Sequence, residues 1–237
     1  MARRAPLEAV LRYAARVMPP PLPLLPPGAR WLCRKHDLLN LVVEHPPQCR
    51  TLRVSRGKKG EDGYHPYHLA FPYVIYVLTF YRDSFEEMKM FFRTSSLSAP
   101  TDTLYHTNLP NVRGEPGHYG SQRVCLRYRP EMLEGVPLAE AVPGLIEFFW
   151  STGFNQDIAN SAFGRAMARD PRLASLEAWE AASRENPLFV LEVDWEPANR
   201  DLPGLWAECL MLRGETANPI ASASELADIL YRLPVGY

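Results

Sequence analysis

The chain has 237 residues, of which 46% are hydrophobic and 22% are charged, and its 26 basic and 27 acidic side chains leave a net charge of −1. This length suits one large domain, or one domain with appended elements, and the apolar content is enough for a buried core. Because the charge is close to zero, no global electrostatic attraction favours nucleic acid or an anionic membrane. We expect neither as a partner.

The cysteines and the amino terminus indicate a compartment. The cysteines lie far apart and form no CxxC pair, which argues against a zinc ribbon or a disulfide scaffold and fits a reducing cytosol. Residues 1–18 lack the uninterrupted apolar stretch of a secretory signal, and nowhere do the roughly 18 apolar residues of a membrane-spanning helix follow one another. We therefore expect a cytoplasmic protein without a membrane, metal or cofactor site.

Four segments are predicted along the chain. Apolar residues at helical spacing predict an amphipathic helix over 1–18, which the Pro-rich stretch 19–29 ends. That stretch is typical of an extended spacer, and docking to a proline-recognition partner is the alternative. The main domain is expected over 30–165, with a helix and strand extension packed on it over 166–237.

Apolar and β-branched runs predict the strands of the main domain. Periodicity does not decide between helix and strand for 31–45, whereas 49–57 and 64–80 are typical of strands joined by a glycine-rich turn. Pro72 is expected at a strand start or a bulge, and a further strand is predicted over 88–94. The hairpin carries a basic cluster: Arg50, Arg53, Arg56, Lys58 and Lys59. This cluster is interpreted as a solvated surface, with partner docking as the alternative.

Helical patterns follow in the carboxy-terminal half. Apolar spacing predicts a helix over 138–150, in which Pro143 either kinks the helix or begins a fresh one. Asp170 followed by Pro171 predicts a capped helix through about Arg184. Two strands and a last helix that opens on a capping box complete the predicted elements, at 188–195, 205–212 and 225–233.

The stretch over 95–126 is the candidate for function. It is rich in turn formers, and a loop of this length in a compact domain is usually functional or disordered; its tyrosines and histidines disfavour disorder. It ends near Cys125, a thiol between two aliphatic residues whose other interpretation is a small buried hydrophobe. Two amides and two imidazoles of the loop are candidates to assist a thiol: Asn108, Asn111, His106 and His118.

The order of residues in this loop resembles the signature of the ubiquitin-conjugating (E2-like) fold. Tyr105-His106 with Leu109-Pro110-Asn111-Val112, then Gly120, then Val124-Cys125-Leu126, is similar to the family's motif. That motif is an aromatic residue before His-Pro-Asn-aliphatic, followed by a glycine turn and an aliphatic-Cys-Leu. The likeness is to prokaryotic E2-like proteins encoded beside ThiF/E1-like enzymes, in particular the PRTRC system protein B family, and it covers about residues 64–160.

The resemblance implies an α+β fold: an antiparallel β-meander flanked by helices, E2/RWD-like, with a C-terminal α/β extension. It implies that Cys125 accepts a ubiquitin-like modifier as a thioester and passes it to a target. Asn111 would stabilise the oxyanion, and His106 would be the structural or acid–base histidine of the motif. The implied partners are an E1/ThiF-like activating enzyme and the ubiquitin-like modifier.

Spacing and charge differ from the family pattern. Four residues separate His106 from Asn111 where the family has one, and the stretch from Asn111 to Cys125 is longer than is typical. Arg127 follows Leu126 where a small or acidic residue is usual. Its cation would either favour attack by the thiol or bind the carboxylate end of a modifier.

Other classes of protein remain as alternatives. One is a catalytically inactive E2/RWD-like module that acts as a binding or assembly subunit, in which Cys125 is a core residue. Another is a cysteine hydrolase that uses Cys125 with His106 or His118, although no local cysteine-protease signature surrounds the cysteine. A dinucleotide enzyme is disfavoured because no GxGxxG follows a strand, and neither HExxH nor a P-loop is present.

Overall fold

The computed structural model describes residues 24–55, 63–82, 84–113, 122–126, 133, 135–155 and 162–213. Its strands are β1 (Ala29–Lys35), β2 (Leu38–His45), β3 (Gln48–Ser55), β4 (Tyr64–Phe71), β5 (Tyr73–Tyr81), β6 (Ser84–Arg93) and β7 (Gly153–Phe154). Its helices are α1 (Leu138–Ser151), α2 (Ala162–Arg169), α3 (Leu176–Glu185) and α4 (Leu202–Leu212), with 3-10 turns at Pro171–Leu173 and Phe189–Leu191.

Three antiparallel hairpins build two sheets. The hairpins β1–β2 and β5–β6 join in the order β1-β2-β5-β6, while the hairpin β3–β4 forms a second sheet with β7. Strand β2 pairs with β5 from Leu38 opposite Tyr81 to His45 opposite Val74, so the hairpin between them leaves the first sheet. The expected α+β class, with an antiparallel sheet flanked by helices, is confirmed. Consecutive strands are nevertheless not always neighbours.

The strands are mostly where local patterns predicted them. The predicted strands over 49–57, 64–80 and 88–94 correspond to β3, to β4 with β5, and to β6. Pro72 lies between β4 and β5 and so marks a strand start. The turn between β3 and β4, with three cations of the basic cluster, lies outside the described residues except for Gly63.

The segment 31–45 forms most of β1, a turn and β2. His36 lies in the turn at a φ of 50°, a left-handed backbone conformation that few residues other than glycine adopt. Leu38 to Val43 are all buried, because both faces of the sheet are covered. A strand buried on both faces loses the alternation of apolar and polar residues, so its sequence cannot be told from that of a buried helix.

The helix predicted over 138–150 is confirmed as α1, which continues through Pro143. The capping prediction at Asp170 was only partly correct. Its carboxylate accepts from the N–H of Arg172 at 3.0 Å, but it caps a 3-10 turn, and α3 begins after a second cap at Ser175. The hydroxyl of Ser175 accepts from the N–H of Ala178 at 3.1 Å.

The two strands predicted in the carboxy-terminal half were wrong. Within 188–195 the chain makes successive turns, with the N–H of Leu191 donating to Leu188 at 2.9 Å, because the side chain of Asn186 holds the first turn. The segment 205–212 belongs to α4, whose cap is Asp201. Short apolar runs do not separate strands from buried helices, and here the cap carried the stronger signal.

Helices and the second sheet cover both faces of the first sheet. On one face, β2, β5 and β6 pack against the second sheet, α1 and α3 in the main hydrophobic cluster. On the other face, Leu202 and Leu205 of α4 pack on Val42, Ile75 and Phe91. Residues before and after position 165 therefore share one core.

Helix α3 closes the outer edge of β4. The N–H of His68 donates to Glu180 at 2.8 Å, and the N–H of Ala70 donates to the hydroxyl of Ser183 at 2.9 Å. The indole N–H of Trp179 donates to the carbonyl of Ala70 at 3.0 Å. Side chains thus satisfy backbone groups that an open edge would offer to another chain.

Several predictions fall outside the described residues: the helix over 1–18, the first part of the Pro-rich stretch (19–23), and the last helix over 225–233. Within the described ranges, the helices are too short or too polar to span a bilayer.

Candidate functional site

The segment 122–126 lies along the outer edge of β6. The N–H of Val124 donates to the carbonyl of Met88 at 2.8 Å, and the N–H of Met90 donates to the carbonyl of Gln122 at 2.9 Å. The candidate cysteine therefore belongs to a short strand-like segment that extends the first sheet. This segment, residues 122–126, is called the cysteine row.

The segment 111–113 lies on the other side of this row. The N–H of Cys125 donates to the carbonyl of Asn111 at 2.7 Å, and Val112 lies opposite Val124 in an antiparallel bridge. Both valines are buried in the core. Because successive side chains of an extended segment alternate, the residue after Val124 turns outward, and the thiol of Cys125 is exposed. The structure thus brings two of the three predicted site residues together through their backbones.

The side chain of Asn111 ties the cysteine row to the turn after α1. Its nitrogen donates to the carbonyl of Gly153 at 3.1 Å, and its oxygen accepts from the N–H of Asn155 at 3.1 Å. The residue is buried and has a φ of 63°, which asparagine tolerates better than most residues. A carboxamide nitrogen carries two hydrogens, and one of these N–H groups is engaged with Gly153.

His106 is buried and is held by Gln122. Its Nδ1 lies 3.0 Å from Nε2 of Gln122, whose Oε1 accepts from the N–H of Thr107 at 2.8 Å. Burial lowers the pKa of His106; Glu196 raises it in part. The histidine therefore contacts the first residue of the cysteine row, through an amide that is itself buried.

Gln122 was not predicted as a site residue from the sequence. Its neighbours in the sequence are glycine, serine and arginine, which are typical of a solvated turn, yet its side chain is 0% exposed. It also has a φ of 63°. Nothing in the local pattern could have marked it, because its partner His106 lies 16 residues earlier.

Ion pairs link α2 and the 3-10 turn after it to the segment 192–196. The pairs are Arg165–Glu196, Arg169–Asp194 at 2.6 Å and Arg172–Glu192 at 3.6 Å. The N–H of His106 donates to the carbonyl of Glu196 at 2.8 Å, which connects this array to the candidate loop.

A small cavity lies between the loop and α2. It has a volume of about 10 Å³ and is lined by residues that include His106, Thr107 and Asn108. This is room for about one water molecule. Among the described residues, neither amide atom of Asn108 has a hydrogen-bond partner, although the side chain is buried. The buried side chain of Asn108 therefore lines this cavity.

An open cleft of about 510 Å³ lies beside β6 and α4, on the face that carries Arg123. Lys89 is buried beneath α4, with its ammonium 3.7 Å from both Glu87 and Glu208. Arg123 also lies 3.7 Å from Glu87. One ion pair, Arg123–Glu87, thus adds to the backbone hydrogen bonds that hold the cysteine row against β6.

The other cysteines differ from Cys125 in exposure. Cys49 is exposed on β3 and Cys33 is half-buried on β1. Cys209 is buried, with Asn40 and Thr79 at 3.7 and 3.8 Å from its sulfur. In the described part of the chain, His, Cys, Asp and Glu side chains form no group of three that could hold a metal ion.

Two residues that the sequence analysis singled out, His118 and Arg127, lie outside the described residues. In comparisons with known proteins, no family model, no curated protein and no solved structure matches this chain.

Proposed function

We propose that the protein is an E2-like conjugating protein whose Cys125 accepts a ubiquitin-like modifier as a thioester and passes it to a target. The observation that carries the proposal is the exposed thiol of Cys125, held by its backbone against Asn111 at 2.7 Å. The proposal includes an E2/RWD-like identity for the fold and an E1/ThiF-like enzyme as the donor. The resemblance of the motif residues supports both.

The chemistry is acyl transfer between two thiols. The sulfur of Cys125 attacks the carbonyl carbon of the modifier's thioester on the activating enzyme. A carbon–sulfur bond forms at Cys125 while the bond to the donor sulfur breaks, and the proton of the thiol passes to the departing thiolate. An amine of the target then attacks, which forms an amide and releases the thiol.

The site can supply accessibility and a hydrogen-bond donor. The thiol of Cys125 is exposed, while the buried side chains of Val112 and Val124 anchor the two adjacent segments in the core. A large acyl donor can therefore reach the thiol without a change in the core. The second N–H of the Asn111 amide is the donor proposed for the developing oxyanion. His106 is assigned a supporting rather than an acid–base role, because its ring is buried against Gln122.

Adduct formation tests the proposal. The purified protein is incubated with an E1-like enzyme, a ubiquitin-like modifier and ATP, and adducts are separated with and without reductant. We expect a reductant-sensitive adduct that is lost with Cys125→Ala and retained with Cys49→Ala, since Cys49 is the other exposed thiol. An adduct that survives Cys125→Ala would contradict the proposal.

A binding or assembly subunit is the second candidate. The observation that favours it is the engagement of the Asn111 amide, whose oxygen and nitrogen are each 3.1 Å from backbone groups of the turn after α1. This candidate predicts no adduct with any modifier. It also predicts that native Cys125 reacts with a thiol reagent no faster than Cys49, the other exposed thiol.

A further inference from the structure

Gln122 is the buried polar side chain nearest in sequence to Cys125 among the described residues, and its orientation can be assigned. A backbone N–H can only donate, so the atom 2.8 Å from the nitrogen of Thr107 is the amide oxygen of Gln122. The amide nitrogen then faces Nδ1 of His106 at 3.0 Å. Because an amide nitrogen can only donate, Nδ1 of His106 accepts and carries no proton. The ring is therefore the neutral tautomer with its proton on Nε2.

The surroundings of the ring agree with a neutral histidine. Burial lowers the pKa of His106, with Glu196 raising it and Arg165 and Arg200 lowering it further. The charged groups that face the ring from the neighbouring elements are those three together with Arg169 and Asp194, which line the adjoining cavity.

The backbone of Gln122 fixes the start of the cysteine row. Its carbonyl accepts from Met90 at 2.9 Å, and its N–H donates to the carbonyl of Arg113 at 2.7 Å. Gln122, which lies three positions before Cys125, thus joins β6 to the segment that carries Asn111. A change at the side chain of Gln122 is transmitted directly to the row.

We infer that Gln122 is a positioning residue that holds the cysteine row in place only while His106 is neutral, so that protonation of His106 releases the row. The consequence for thioester chemistry rests on the proposed function; the release itself does not.

The reason is a mismatch of donors. An imidazolium has an N–H at both nitrogens, so Nδ1–H would face the NH₂ group of Gln122. Rotating the amide by half a turn would satisfy the ring but would set the NH₂ group against the N–H of Thr107. Either arrangement leaves a buried donor unpaired, which is costly because His106, Thr107 and Gln122 are all buried from bulk solvent.

The test measures the row directly by hydrogen exchange. The protection factor of the Val124 amide, which is hydrogen-bonded to Met88, is compared with that of Val77 on β5 between about pH 5 and pH 8. The ¹⁵N shifts of the His106 ring report its tautomer and its protonation in the same samples. We expect the Val124 protection to fall about tenfold relative to Val77 as His106 gains its proton.

Two substitutions sharpen the test. In Gln122→Glu, a carboxylate can accept from both Thr107 N–H and the imidazolium Nδ1–H, so the ring should titrate at higher pH and the acid release should disappear. The matched control is Gln48→Glu on β3, which adds the same charge away from His106 and should behave as the parent protein. A parent ring with its proton on Nδ1, or a Val124 protection that does not change as His106 titrates, would overturn the inference.

The failure of this inference and the failure of the proposed function are distinguishable. If the protection changes as expected but no Cys125 adduct forms, only the conjugating function is lost. If adducts form and the protection does not follow His106, only the positioning role is lost.

Discussion

The N–H of Cys125 donates to the carbonyl of Asn111 at 2.7 Å, although 14 positions separate the two residues in the chain. The side chain of the same asparagine makes hydrogen bonds with the backbone of Gly153 and of Asn155. Asn111 therefore connects three parts of the fold: the cysteine row, its own loop and the turn after α1. Its substitution should affect stability as well as any reaction.

Asn111→Ala should lower the free energy of unfolding by about 2–4 kcal/mol, from two lost hydrogen bonds and a left-handed φ that alanine tolerates poorly. Asn111→Gly removes the φ cost but not the lost bonds, so it should be about 1 kcal/mol less damaging. Urea unfolding measures both. The control is Asn199→Ala, because Asn199 is exposed and has a φ of 53°. It should lose only the smaller part of the free energy of unfolding that comes from the left-handed backbone conformation. Equal losses at positions 111 and 199 would show that the side-chain bonds of Asn111 contribute little.

Ser183→Ala should open the edge of β4. The hydroxyl of Ser183 accepts from Ala70 at 2.9 Å and donates to the carbonyl of Trp179 at 2.7 Å, all in a buried setting. Its loss leaves the N–H of Ala70 unpaired, and we expect a cost of about 1–3 kcal/mol in urea unfolding. The control Ser151→Ala removes an exposed hydroxyl at the end of α1 and should cost much less. If the two variants are equally stable, the edge is not closed by this bond.

Lys89→Met should destabilise the protein, although methionine is an apolar side chain of similar length that suits a buried position. It leaves Glu87 and Glu208 without the ammonium that lies 3.7 Å from each. Because Arg200 and Arg123 still face these carboxylates, we expect about 1–3 kcal/mol, below the usual cost of breaking a fully buried pair. A double-mutant cycle with Glu208→Gln measures the coupling, which should be favourable. Additive losses would mean that Lys89 and Glu208 do not interact.

Stability should fall as the pH drops below about 6.5, the ordinary pKa of histidine. Burial lowers the pKa of His106, and it lowers the pKa of His45, where Arg50 acts in the same direction. Both rings stay neutral in the folded protein after the unfolded chain has taken up protons, so protonation favours unfolding. The stabilisation that the two neutral rings contribute is complete above about pH 6.5, and it is lost as the pH falls towards their lowered pKa values.

Urea unfolding at intervals between roughly pH 7.5 and 5 measures this dependence, above the range in which ordinary carboxylates titrate. His45→Asn should reduce the slope, since it removes one of the two rings. A free energy of unfolding that stays constant or rises on acidification would contradict this account of the two histidines.

The elements that could be predicted from sequence are those with a strong local signal. The β-branched run of β5, the strands of the β3–β4 hairpin and the apolar spacing of α1 each carry their own pattern. In α4 the apolar residues are too dense for a clear period, and the cap at Asp201 was the signal to follow. The α+β class with an antiparallel sheet could thus be predicted, whereas the departure of the β3–β4 hairpin from the first sheet depends on long-range pairing.

The candidate site, like the fold, could be predicted only in part from the sequence. The order of residues in the loop predicted that Asn111 and Cys125 belong together, and their backbones are hydrogen-bonded. The roles of Gln122 and of the buried ring of His106 depend on a contact across the loop that no spacing rule describes. The assignment of the fold and of the motif residues to an E2-like protein stays a prediction.

The most direct measurement is the chemical nature of the bond at position 125. With an E1-like enzyme, a ubiquitin-like modifier and ATP, the parent protein should gain the mass of the modifier less one water, and reductant should remove it. Cys125→Ser should gain the same mass as an oxygen ester that reductant leaves intact, because a serine ester is not cleaved by thiols. No added mass on either protein, or a reductant-sensitive adduct on Cys125→Ser, would contradict the claim that Cys125 accepts the modifier.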